Sequence, residues 1–184
     1  MRSVKPFLFG AFVVGALASI LIGASNTQAQ NPPAPGYTEP LDAGTLRQIR
    51  TLYRTLIEAE NHHDLAEVRT MVWDAPSTLF VAKTATAAEG NWAGFWGTDV
   101  VMQHLAEIYD AGSFQIDRDY DKERVAGLTR DVAETYVPVK ISVAYAGQTP
   151  VPKPFLMILD WVRTPAGWRM ATDIALPIPP APHT

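Results

Sequence analysis

The sequence predicts an α+β domain: three N-terminal helices packed on a curved antiparallel sheet. Three observations lead there. Up to about residue 110, apolar residues recur at steps of three and four; from Ser113 onward the period falls to two. Thr164-Pro165-Ala166-Gly167 then reads as a tight connection between two long alternating segments. Helices first and strands after place the helices on one face of a meander.

Taken in order, the chain starts with Arg2 and Lys5, an apolar run from Phe7 to Ala24 broken only by Ser19, and small residues near Thr27 and Ala29. That pattern predicts a secretory signal over 1–29, cleaved after Ala29, with an uncleaved membrane anchor as the alternative. No twin arginine is present, so the general secretory route is expected, to the periplasm or the outside. Residues 30–40 read as a Pro-rich linker and 177–184 as a Pro-rich tail. The folded domain is expected over 41–176, without an internal repeat. Leu46, Ile49, Leu52, Tyr53, Leu56 and Ile57 form one face of a helix over 43–62. Asp64, with Glu67 three residues on, caps a short helix over 65–72. Pro76 opens a short strand to Ala82, and Thr98 caps a third helix with Val101, Leu105 and Ile108 inside, ended by Gly112. Segments 113–118, 122–129, 131–145, 154–163 and 167–176 are predicted strands.

Composition narrows the function classes. Of 184 residues, 47% are apolar and 18% charged, with net charge -4. No basic excess exists to neutralise a phosphate backbone, so nucleic acid is not an expected partner. Cysteine is absent. Disulfides, thiolate metal sites and cysteine nucleophiles are thereby excluded. The histidines and acids show no His-Glu-x-x-His or other ligand spacing, so neither a metal nor a cofactor is expected. Removal of 1–29 takes two of the fifteen positive charges and leaves an acidic 155-residue chain, expected to be free of the membrane.

The order of elements, His62-His63-Asp64-Leu65 after the first helix, the stretch from Trp92 to Tyr109, and the terminal hairpin with its Gly167-Trp168-Arg169 resemble the NTF2-like superfamily. That cone-shaped fold is shared by SnoaL-like polyketide cyclases, ketosteroid isomerases and many secreted proteins. The resemblance spans about 41–176. It implies a deep, mostly apolar pocket between sheet and helices, suited to a small molecule. It does not carry over ketosteroid isomerase chemistry: the base position of those enzymes falls near Phe80 or Val81, and their helix-one tyrosine near Leu56, one turn from Tyr53.

Individual polar residues admit more than one role. His63, on the Leu52–Leu56–Ala59 stripe, is either an inward base or a side chain bonded to the last carbonyls of its helix. His104, at the edge of the Val101–Leu105 stripe, is either a pocket donor or a core histidine. Trp92, Phe95 and Trp96 alternate with small residues and form either a wall over an apolar ligand or a core plug. In the hairpin, pairing Arg163 with Trp168 sets 160 opposite 171 and 158 opposite 173, which puts Asp160, Arg169 and Asp173 on one face. Such a row orients a polar substrate group, forms a structural ion network, or joins an interface. The leading expectation is an exported domain that binds a small, largely apolar molecule through Trp92, Phe95, Trp96, His104, Asp160 and Arg169. The alternative is a cofactor-independent lyase, isomerase or hydrolase using His63, Asp173 and Tyr53 as acids and bases. A third is a noncatalytic module; a homodimer through the sheet is expected.

Overall fold

The computed structural model describes residues 38–83, 92–110, 112–143 and 149–178, the side chains of Lys83 and Trp92 aside. The chain divides into two units, Met1–Tyr37 and Thr38–Thr184, and every described residue lies in the second. The predicted signal, the linker up to Tyr37 and the tail from Pro179 lie outside the described residues.

Helix α1 (Ala43–Asn61) starts where the Asp42 carboxylate accepts from the Thr45 amide at 2.9 Å and from its hydroxyl at 2.8 Å. Its buried face is Ile49, Tyr53, Leu56, Ile57 and Glu60, the three-and-four spacing of an inner stripe. The helix stops at His63, whose φ of 58° is left-handed. The Asp64 amide then reaches back to the Ala59 carbonyl and the His63 amide to that of Glu60, a Schellman closure with histidine where glycine is usual. Asp64 immediately caps α2 (Leu65–Met71) through the Glu67 amide at 2.9 Å.

Strands β1 (Leu79–Lys83) and β2 (Trp92–Trp96) precede α3 (Thr98–Asp110). Thr98 does not cap α3 as expected. It is the first helical residue, and its hydroxyl donates to Trp73 O at 2.8 Å and accepts from the Ala75 amide at 3.0 Å, tying α3 to the segment after α2. Strands β3 (Phe114–Arg118), β4 (Arg124–Thr129), β5 (Val132–Val143), β6 (Lys153–Thr164) and β7 (Gly167–Pro177) complete a sheet ordered β2-β1-β7-β6-β5-β3. β4 shares the β5 edge with β3, and a 3-10 turn at Tyr120–Lys122 links those two strands. The sheet is curved and open. It is mixed rather than wholly antiparallel, because β1 runs parallel to β7.

Residues paired across strands share a face. One row crosses the sheet as Phe95, Phe80, Asp173, Leu159, Thr135 and Val125, and it faces the helices. The predicted hairpin pairing holds near the turn, where Arg163 faces Trp168 and Val162 faces Arg169. Beyond it a bulge inserts Ala171, so Asp160 pairs with Thr172 and Leu159 with Asp173. This one residue corrects the expected common face of Asp160, Arg169 and Asp173: Asp173 turns into the core, the other two stay on the outer face.

Candidate functional site

Asp173 stands near the middle of the inner row, 2% exposed. Across from it α1 supplies Tyr53, 0% exposed, and, two turns on, Glu60, 2% exposed. Tyr109 comes from the last turn of α3 and is also buried. The Tyr53 and Tyr109 hydroxyls and Asp173 Oδ1 have no hydrogen-bond partner among the described residues. Buried polar atoms left unpaired cost about 1–3 kcal/mol each, and most buried polar groups have a partner.

The electrostatics bind the four into one unit. Burial pushes the Asp173 carboxyl up to about 7. Glu60 is raised well above the usual carboxylate range, first by burial and then by the charge of Asp173. Both tyrosines are raised, mainly by burial and secondarily by these two acids. At neutral pH the site therefore holds one carboxyl poised to ionise, Asp173, a second, Glu60, whose charged form burial disfavours, and two protonated phenols.

Tyr53 and Asp173 are thus brought together as the acid–base alternative requires. His63 is not part of that centre. Its Nε2 donates to the Phe114 carbonyl at 3.1 Å, and its ring lies on that of Tyr109, centroids 4.7 Å apart and 7° from parallel. It braces Tyr109 from the half-buried end of α1.

The residues expected to bind ligand are dispersed. Phe95 stacks on His104 with centroids 3.6 Å apart, and Phe80 borders the same imidazole at 5.7 Å. His104 is buried, its ring nitrogens unbonded, and burial lowers its pKa although Glu107 opposes the shift from 3.6 Å. Trp96 lies opposite Leu79 on the outer face, 59% exposed, so Phe95 and Trp96 do not share a wall. The Trp92 backbone pairs with Lys83 in β2; its side chain lies outside the described residues. Asp160 bonds Thr172, and Arg169 Nη1 donates to the Trp168 carbonyl at 2.8 Å, so the expected ion row is absent there. Arg169 also lines a surface groove of about 430 Å³ with Arg69 and Trp73, whose lining includes none of the four buried groups.

Glu60 and Tyr109 are the site residues that sequence reasoning missed. Both had a signal: Glu60 follows Leu56 by four and Ile57 by three, and Tyr109 follows Leu105 by four. Among the described residues no group of three or more His, Asp or Glu side chains is placed to hold a metal ion.

Solved structures share this architecture. A protein of the nuclear transport factor 2 (NTF2-like) superfamily from Salmonella enterica serovar Typhimurium superposes with a TM-score of 0.63 at 11% identity, over 76% of this chain and 96% of that one. A ketosteroid isomerase-like protein from Erwinia carotovora atroseptica gives 0.61 at 15% identity, over 76% and 100%. An NTF2-like protein of unknown function from Pseudomonas putida gives 0.59 at 10% identity, over 77% and 92%. No family model and no curated protein matches the sequence. The chain has the fold of the NTF2-like superfamily.

Proposed function

We propose that a small, largely apolar molecule is taken up between α1, α3 and the inner sheet face and that a proton is moved on it there. The observation that carries this reading is the buried set of Asp173, Glu60, Tyr53 and Tyr109, with three polar atoms unpartnered and one acid ionising near 7. A base poised at the working pH serves proton abstraction best. Asp173 takes a proton from carbon, and the neutral donors around it stabilise the oxygen that gains charge. The lyase or isomerase class follows. The ketosteroid isomerase-like neighbour agrees with it at the level of fold alone.

The test is deuterium exchange at the α-carbon of cyclohexanone in heavy water, followed by NMR. Wild type is expected to exceed Asp173→Asn by about 100-fold, the low end of general-base catalysis. Equal rates would overturn the reading.

The outer sheet face supports a second property, self-association. Rows there combine Val81, Ile174, Ile158 and Tyr136, or Leu176, Leu156 and Pro138. Tyr136 and Leu176, and Trp96 on the edge strand β2, are exposed large apolar residues. We propose a homodimer through this face, with a monomer in sedimentation as the refuting result. Export also stands as a proposal from the tripartite start of the chain; an intact mass beginning near Gln30 would support it and a full-length chain held in the membrane fraction would sink it.

A further inference from the structure

We propose that the molecule held in the interior is a small apolar amine, its ammonium group seated between Asp173 and Glu60. The inference rests on the interior being a ligand site and adds the chemistry of what enters it.

Two electrostatically coupled carboxyls, Asp173 and Glu60, are buried, yet no lysine or arginine is buried among the described residues. The groups coupled to Asp173 are acids and phenols; α2, which packs on β7, brings Val68 and Met71, and α3 also carries the buried His104. α1 gives Tyr53 and Glu60, α3 gives Tyr109, and Phe80 is its partner on β1. Farther out, Glu123 raises Tyr53, and so does Tyr120; the Arg54 guanidinium bonds Glu123 at 2.7 Å, and its side chain is 46% exposed. His63 lies behind Tyr109, and His104 behind Phe80. Buried charge normally comes paired, so a cation beside these acids would supply the partner that lets them ionise. The tyrosine hydroxyls, buried, unpartnered and electrostatically coupled to both acids, are a separate sign that a polar group belongs among them. Their rings add a surface that favours a cation over a neutral isostere.

Without a cation burial favours the protonated form of both acids, that of Asp173 up to about 7. An ammonium lets both ionise, and by linkage the ionised pair binds it more tightly. No bond is made or broken on binding: the proton of Glu60, and the fraction still on Asp173, pass to solvent. One carboxylate then pairs with the ammonium while the other is free to act as base. Anions are repelled, and a neutral molecule of the same shape gains nothing from ionisation.

The experiment compares benzylamine with its neutral isostere benzyl alcohol by calorimetry on the full chain, in two buffers of different ionisation enthalpy. Benzylamine is expected to bind about tenfold tighter at pH 8. Its affinity should rise with pH, most steeply below 7, where Asp173 as well as Glu60 gives up a proton on binding, with protons released at pH 7. Glu60→Gln, and separately Asp173→Asn, should erase the preference, so misfolding of one variant leaves the other to decide. Equal binding of both probes, no binding of the amine, a flat pH profile, or an amine preference that survives both variants overturns the proposal. Failure here with cyclohexanone exchange intact would leave the proton-transfer reading standing; loss of exchange with amine binding intact would do the reverse.

Discussion

Asp173 keeps its proton to about pH 7 because burial disfavours its charged form. Its folded pKa is raised above the unfolded value of 3.8. The stability it contributes is therefore fully present below pH 3.8 and is lost as pH rises through 7. The loss is on the order of 4 kcal/mol, from about 1.4 kcal/mol per pH unit. Stability is expected to fall between pH 4 and 7, against the usual trend for carboxylates. Urea unfolding at several pH values checks this: the slope should be clearly shallower in Asp173→Asn, and an unchanged slope would show the carboxyl to be solvated. Gly127 makes a different kind of demand. Its amide is bonded at 2.9 Å to Glu39 Oε1, and a Cβ there would stand 2.8 Å from Leu41 Cγ and 2.9 Å from Pro40 Cγ. Gly127→Ala should lose about 1–3 kcal/mol by overpacking, read as a lower midpoint in the same titration; no change would mean that the segment before α1 gives way freely.

The elements differ in how much of them was written locally. Helix ends were legible because caps are short-range chemistry: Asp64 and Glu67 stand three residues apart, and the bond between them forms as that spacing implies. Asp64→Ala is expected to cost about 1 kcal/mol, measured by thermal unfolding, and a variant as stable as wild type would show α2 to be held by packing alone. The turn at Thr164–Gly167 was legible for the same reason, and Arg163 faces Trp168 as predicted. Nothing in the sequence marks Ala171 as an extra residue, so the register read outward from the turn failed at Asp160. That slip decides which face Asp173 takes. The segment 92–96 was read as a wall or plug because small residues blur its alternation; it is a strand paired with β1. β1 beside β7 joins residues some ninety positions apart, and no local pattern announces such a neighbour. The site is split accordingly. Tyr53 was visible on a helical stripe, Asp173 was named but given the wrong face, and Glu60 and Tyr109 went unnamed on the buried faces of α1 and α3.

For the molecule as a whole, the sheet separates two tasks. Its inner face gathers the unpaired acids and phenols; its outer face carries the apolar rows proposed to join two copies. The outer face is not uniformly apolar. Glu134 pairs directly with Asp160 across β5 and β6, and both carboxyls are raised, Glu134 by burial and by the charge of Asp160, Asp160 by burial against the opposing bond from Thr172. Arg169 stands on the same face near the turn and Lys140 at the far end of β5, neither opposite this pair. A partner seated on the face would desolvate two like charges further. Each proton they take up removes part of that penalty, so association should tighten as pH falls from neutrality toward the raised carboxyl range. Glu134→Gln with Asp160→Asn should remove the pH dependence and favour the dimer at neutral pH. Sedimentation equilibrium at pH 5 and pH 8, on wild type and the double variant, decides it: association that strengthens with rising pH would place the pair outside the interface.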